Sequence, residues 1–542
     1  MDFPEYKKRI IYQIYPLSFK DSNNDGYGDL NGIISKLDYL KDLGIGIIWL
    51  SPIYASPMHD NGYDISDYYS INPLFGTMED FDNLIKEADK RDIKIVMDLV
   101  INHTSNQHIW FKEALKNPNS KYRNYYIFKK GNGNKVPNNW DSAFTGCPWE
   151  KVENEDNMYY LHLYAKEQPD LNYRNEEVIK EVENILEFYL KKGVYGFRCD
   201  VINQIYKTSF DNGKFRFFQK GKEFYENQEE NFKILERFQR TVKKYNGFLV
   251  GETSNVTPEI GNKFLSRGCL DMFFEFEHSF CDEFKLIPIF KLKYKPYKLI
   301  NPILKWQEKV PWIGAYLENH DQRRSLSRWG YKDNLNKSAK ALSMFLLTLK
   351  GTPFIFEGEE LGALDYEDLT YEETNDKMSL TIVDTAAKIL HISKEKAFKL
   401  VNSTVNRDHS RFPMLWSNSI NGGFNEGAKT WLKVNDIYKK YNINVEDELK
   451  DSNSVLNFYK EIIKFRNSND VLKFGDFIRV KSNKNVAKFT RTFNEETLLI
   501  VINLSNKKVK DIREEKEVLF TNDKDINSRY LNPLQGIIYK LR

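Results

Sequence analysis

The chain has 542 residues with 41% hydrophobic, 14% aromatic and 29% charged side chains, a globular composition that excludes wholesale disorder. Its 80 basic side chains nearly balance 77 acidic ones, and a net +3 excludes the charge pattern of a nucleic-acid binder or a polybasic membrane protein. No apolar run approaches the ~18–20 residues of a membrane span. The first residues, MDFPEYKKRIIYQIYPLSF, show neither the apolar stretch nor the small-residue cleavage site of a secretory leader. Cys147, Cys199, Cys269 and Cys281 form no CxxC pair and are too sparse for a disulfide scaffold. Free thiols and a cytoplasmic location are the expectation.

Apolar β-rich runs occur at IIYQIYP (10–16), IGIIWLSP (45–52), IKIVMDLVINH (93–103), VYGFRCDV (194–201), GFLVGE (247–252), LDMFFEFEH (270–278), IGAYLENHD (313–321) and TPFIFEGEE (352–360). Amphipathic helical patterns lie between several of them, at 30–44, 79–92, 176–193 and 337–351. Eight continuous apolar strands separated by helices predict a parallel sheet buried on both faces and closed as a (β/α)8 TIM barrel. An open doubly wound sheet is the rival, but no Gly-rich dinucleotide fingerprint follows the first strand. The predicted organisation is barrel over 1–103, an inserted subdomain without a clear helix over 104–173, and barrel again over 174–471. A second insertion follows the eighth strand at about 363–453. From 472 to 542 the runs become short and alternating, as in an antiparallel β-sandwich.

Polar residues gather at the C-terminal ends of these strands, where barrel enzymes assemble their sites. Asp98, Asn102 and His103 close the third strand, Arg198 and Asp200 the fourth, Glu252 the fifth, and His320 and Asp321 the seventh. Several carboxylates, two His and an Arg on one rim are costly to desolvate unless they pair or meet a ligand. Two carboxylates flanking a bond are the minimum equipment for glycoside hydrolysis. Arg198, two residues before Asp200, shares its side of the strand and is expected to keep it ionised. Glu252, after the apolar FLVG, suits a general acid.

The segments DLVINH (98–103), GFRCD (196–200), VGE (250–252) and ENHD (318–321) resemble, in order and spacing, the four signature regions of the α-amylase family, glycoside hydrolase family 13. GIGIIWLSPIY (44–54), QPDLN (168–172) and GTPFIFEGEELG (351–362) agree, so the resemblance covers essentially the whole chain. QPDLN and VNRDHSRFPMLW (405–416) are similar to the branch of oligo-1,6-glucosidases, dextran glucosidases and trehalose-6-phosphate hydrolases. The resemblance implies a retaining mechanism with Asp200 as nucleophile, Glu252 as acid and then base, and Asp321 stabilising the transition state. It implies that His103, Arg198 and His320 bind the glucosyl unit, that Tyr63 stacks beneath it, and that Asp64 and Arg411 pair to wall off the pocket for exo-cleavage. Val201, directly after the nucleophile, implies α-1,6 preference.

DSNNDGYGD (21–29) alternates oxygen donors around a Gly turn, as a calcium loop does, but Gly32 occupies the place of the closing Glu, so it is no complete EF-hand. The resemblance implies a structural Ca2+ held by Asp21, Asn23, Asp25, the Tyr27 carbonyl and Asp29. No organic cofactor is expected. Against the family pattern, Arg323 replaces a Pro near the site mouth, where an Arg either meets a phosphate or stays a solvated loop charge, and Glu357 replaces a Gln. The expected activity is a monomeric exo-α-glucosidase acting on small isomalto-oligosaccharides. Trehalose-6-phosphate hydrolysis, sucrose isomerisation or transglucosylation, and a non-enzymatic binding role are the alternatives.

Overall fold

The computed structural model describes residues 3–284, 289–511 and 516–541. Eight strands form one parallel sheet: β1 (Ile11–Ile14), β2 (Ile47–Leu50), β3 (Lys94–Leu99), β4 (Gly196–Cys199), β5 (Phe248–Glu252), β6 (Met272–Phe274), β7 (Gly314–Ala315) and β8 (Thr352–Phe356). Their order is β6-β5-β4-β3-β2-β1-β8-β7. The two edge strands, β6 and β7, pack against each other and close the barrel. Gly314 makes that seam possible, since a Cβ there would lie 2.8 Å from the Phe274 ring.

The strands are apolar on both faces because both are covered. The outer face packs on the helices, and the inner face forms a separate core of Ile11, Ile47, Trp49, Val96, Phe248, Val250, Met272, Phe274 and Phe354. Side chains alternate along a strand, so two residues beyond Ile11, Val96 and Val250 the same inner face presents Gln13, Asp98 and Glu252. The register sets Asp98 beside Arg198 on the neighbouring strand. The polar rim is thus the continuation of the barrel's own interior.

Helix ends follow their local chemistry. Thr77 and Asp80 form a capping box on the helix Met78–Lys90, and Asn175 caps Glu176–Lys191. The pattern at 30–44 is two helices, Leu30–Ser35 and Leu37–Leu43, divided at Lys36 and ended by Gly44 at φ 92°. The stretch after β3 does contain a helix, Ile109–Lys116, whose eight residues bury Trp110, Phe111 and Ala114. It is too short for a 3.6-residue pattern to stand out from sequence. A three-stranded antiparallel sheet follows it: Phe128–Lys130, Met158–Leu161 and Trp149–Lys151.

After β8, helices Lys377–Leu390 and Lys394–Asn402 pack around Val383, Ala386, Ala397, Phe398 and Val401. The C-terminal strands β9 (Asp476–Arg479), β10 (Val486–Phe493), β11 (Glu496–Asn503), β12 (Val518–Thr521) and β13 (Gly536–Lys540) form an antiparallel sheet in the order β9-β10-β11-β13-β12. A two-stranded ladder pairs Val509–Lys510 with Tyr530–Leu531. Phe489, Ile500, Ile502 and Ile538 join the main core, while Val486, Val501, Ile537 and Tyr539 form a second core on the other side. No described helix is long and apolar enough to cross a membrane.

Candidate active site

One guanidinium organises the rim. Arg198 Nη1 donates to Asp98 Oδ1 at 2.7 Å and to Asp200 Oδ1 at 2.8 Å, and Nη2 donates to Glu252 Oε2. Asp98 is further held by Tyr63 Oη at 3.1 Å and Trp49 Nε1 at 3.3 Å. Burial pushes the Asp98 carboxyl up to about 6 against the pull of Arg198. Asp200 is also raised by burial; Arg198 opposes the rise, and Glu252 and Asp98 add to it. Arg198 is thus shared by Asp98, Asp200 and Glu252, and burial works against the charge it favours on Asp200.

The chain turns sharply right after Asp200. Val201 adopts φ 38° and ψ 37°, a left-handed conformation that costs a β-branched residue roughly 1–2 kcal/mol. The turn aims the Val201 N–H at Glu252 Oε2, 3.3 Å away. Val201 is not a strand packing residue; it stands beyond β4, half-buried at the site.

His320 joins the opposite side. Gln13 Nε2 donates to its Nδ1 at 2.8 Å, so Nε2 carries the hydrogen and meets Tyr63 Oη at 2.6 Å. The Tyr63 and His320 rings are parallel, 5.4 Å apart. Burial holds His320 down to about 3 and His103 down to about 4, so both are neutral donors at working pH. His103 Nε2 donates to the Tyr63 carbonyl at 3.0 Å. Burial acts to raise Asp321, but His320, Arg411 and Arg407 outweigh it and hold the carboxyl well below its ordinary range.

The expected Asp64–Arg411 pair is absent. The Asp64 carboxylate accepts from the backbone of Asp60 (2.9 Å) and His59 (3.1 Å) and from Ser56 Oγ (3.1 Å), fastening the loop that carries Tyr63. Arg411 donates to the His320 carbonyl at 2.7 Å and to Asp321 Oδ1 at 2.5 Å, and its Nη1 has no partner among the described residues. The ion pair that spans this wall is made by Arg407 and Asp60, at 3.5 Å. Arg407 is seated by Asp376 Oδ1 at 2.6 Å and also reaches Asp321 Oδ1 at 3.4 Å. Asp60, Arg407 and Asp376 were missed. Each acidic or basic position has a like-charged neighbour four residues away (60 and 64, 407 and 411), and sequence alone does not say which member turns inward.

Arg323 is neither a phosphate-ready mouth charge nor a solvated one: it pairs with Asp365 and donates to the Ser403 carbonyl. Glu357 is fully buried, accepts from the Tyr15 N–H at 2.8 Å, and is pushed up by burial. In the loop 21–29, Asp21 accepts from the backbone of Asn24 and Gly26, Asp25 from Tyr27, and Asp29 from Ser22 and Gly32. Its oxygens are the hard donors calcium takes, yet no three His, Cys, Asp or Glu among the described residues are gathered around a point.

A barrel rim on which two carboxylates share one guanidinium is the equipment of a glycoside hydrolase. The sequence profile "Alpha amylase, catalytic domain" matches residues 13–475, and the chain belongs to the α-amylase family. It is 40% identical to an oligo-1,6-glucosidase from Parageobacillus thermoglucosidasius, over 99% of each chain. It is 39% identical to a trehalose-6-phosphate hydrolase from Bacillus subtilis (strain 168), over 99% of this chain and 98% of that one. The crystal structure of an isomaltulose synthase from Erwinia rhapontici NX5 superposes with a TM-score of 0.94 at 35% identity, covering all of both chains.

Proposed function

We propose that this enzyme is a retaining exo-α-glucosidase that removes glucose from the non-reducing end of α-1,6-linked oligosaccharides. The observation that carries the proposal is the shared Arg198 clamp. Asp200 and Glu252 accept from the two terminal nitrogens of one guanidinium. That sharing supports the close pair of a retaining enzyme over the ~6.5–9.5 Å gap that an inverting pair needs for a water. Asp200 attacks the anomeric carbon while the proton held by Glu252 passes to the departing glycosidic oxygen, giving a covalent glycosyl ester. Glu252, now a carboxylate, takes a proton from water; the resulting hydroxide attacks the same carbon and frees Asp200. Asp321, kept ionised by its cations, faces the positive charge that develops on the sugar.

The ion-paired Asp60, Arg407 and Asp376 support exo-action, as a wall that would close the pocket behind one terminal sugar. The α-1,6 preference rests on Val201 and on the oligo-1,6-glucosidase relatives. Arg323, occupied by Asp365 and Ser403, favours this over phosphosugar hydrolysis. The test is kcat/KM for isomaltose, maltose, trehalose 6-phosphate and sucrose in one panel. Isomaltose should win, and turnover of trehalose 6-phosphate alone would overturn the reading. We further propose a structural Ca2+ at Asp21, Asn23, Asp25, the Tyr27 carbonyl and Asp29, supported by the all-oxygen donor set. A monomer in a reducing compartment completes the reading, the four cysteines being free thiols.

A further inference from the structure

The loop joining β4 to the helix Glu229–Lys243 holds three conspicuously exposed aromatic residues: Phe215 is 83% exposed, Phe217 77% and Phe218 54%. Free rings on a surface are a liability unless something covers them. The stems of the loop are fixed while the rings stay out. Gly213 N donates to Asn139 Oδ1 at 2.7 Å, and Asn139 Nδ2 returns a bond to the Gly213 carbonyl at 3.0 Å. Gly221, at φ 90°, lies under Trp140, so close that a Cβ would sit 2.4 Å from the indole. The Phe215 and Phe217 rings meet edge to face at 5.8 Å.

The position of this loop follows from its anchor just beyond the acid's strand. Asn255, three residues beyond Glu252, donates from Nδ2 to Glu226 Oε1 at 2.8 Å and to Gln219 Oε1 at 3.3 Å. A general acid stands on the side of the group it protonates, so the departing part of the substrate lies toward Asn255 and the loop. The other side is shut by Asp60 and Arg407. A chain whose terminal sugar fills the pocket has to leave on the open side. The charge of the loop also suits a neutral ligand: Arg216 pairs with Glu223, Lys220 with Asp141 and Lys222 with Glu226.

We infer that Phe215, Phe217 and Phe218 form an aglycone platform, stacking on glucosyl units beyond the one released with the leaving oxygen. The aromatic faces bury the apolar C–H faces of an uncharged sugar. The inference rests on the proposed exo-glucosidase function and names how that site selects chain length. The test is the Phe215→Ser/Phe217→Ser double variant, whose rings carry little of the core. Both proteins are assayed on p-nitrophenyl α-glucoside, isomaltose, isomaltotriose and isomaltotetraose, with sedimentation velocity alongside. The variant should keep wild-type kcat/KM on the first two and lose about fivefold on isomaltotetraose, through KM. An equal loss on every substrate, or none on any, overturns the platform. So does a wild-type dimer that becomes monomeric in the variant with no chain-length effect, which would assign the rings to contact between copies. Activity on p-nitrophenyl α-glucoside with none on any isomalto-oligosaccharide would overturn the functional reading, and the platform with it. Length-independent kinetics on good isomalto-substrates would overturn the platform alone.

Discussion

Glu448 offers a direct measure of what a buried carboxyl costs this fold. It lies in the helix Val445–Lys450, accepts the Leu456 N–H at 2.8 Å, and is pushed by burial up to about 8 from an ordinary 4.5, with Glu360 and Asp451 adding to the rise. A raised folded pKa fixes the sign. Below pH 4.5 both folded and unfolded chains hold the proton and nothing is lost. As pH rises toward 8 the unfolded chain ionises and the folded one does not, so stability falls. At pH 7 the loss is about 3 kcal/mol. Glu448→Gln removes it, because the amide oxygen still accepts from Leu456 and the side chain is neutral at every pH. For a chain of 542 residues the melting entropy is about 1.1 kcal/mol/K, so the gain is about 3 °C in Tm. Differential scanning calorimetry at pH 4.5 and pH 7 is the assay. The variant should melt with wild type at the acid pH and above it at neutral pH. A Tm difference that does not change with pH, or a variant that melts lower at pH 7, would refute the argument.

Asp200→Asn should lower kcat by ~10^4-fold or more while the circular dichroism and Tm stay at or above wild type, since the amide relieves a crowded negative charge; near-normal turnover would remove Asp200 from the nucleophile's role. Arg407→Gln strands Asp60 and Asp376 and should cost about 3–5 kcal/mol in denaturant melts, with a raised KM for isomaltose. Asp64→Asn should lower stability with a much smaller effect on KM, and the reverse pattern would restore Asp64 to the pocket wall. Stripping divalent ions with a chelator should lower Tm more than it lowers kcat, with recovery on adding Ca2+; an unchanged Tm would end the calcium proposal.

The barrel was legible because eight apolar runs can be buried on both faces in only a few ways, and the runs end in polar residues at one rim. The limits of legibility are equally physical. The sequence IGAYLENHD reads as a long strand, yet only Gly314 and Ala315 pair, because Leu317 to Asp321 bend into the site. The pairing of the wall was hidden for a different reason: Asp64 and Asp60, like Arg411 and Arg407, differ only in the direction of a side chain. Asp64 looks inward along the sequence, directly after Tyr63, but is captured by the amides of its own turn. Local backbone hydrogen bonds win over a distant guanidinium when the carboxylate sits within a few residues of free N–H groups. The left-handed turn at Val201 was not readable either, since a β-branched residue is the last choice for that conformation. Strain of this kind persists only where tertiary contacts fix it, here beside the Asp200–Glu252 pair.

The carboxylates at this rim differ in the number of cations they meet. Asp98, Asp200 and Glu252 divide a single guanidinium. Asp321 alone meets both Arg411 and Arg407, and stays ionised. In the proposed mechanism the wall residue Arg407 therefore does two things at once: it closes the pocket against Asp60 and it keeps Asp321 charged. A substitution at Arg407 should accordingly reduce kcat as well as raise KM, whereas one that only opened the wall would change KM alone.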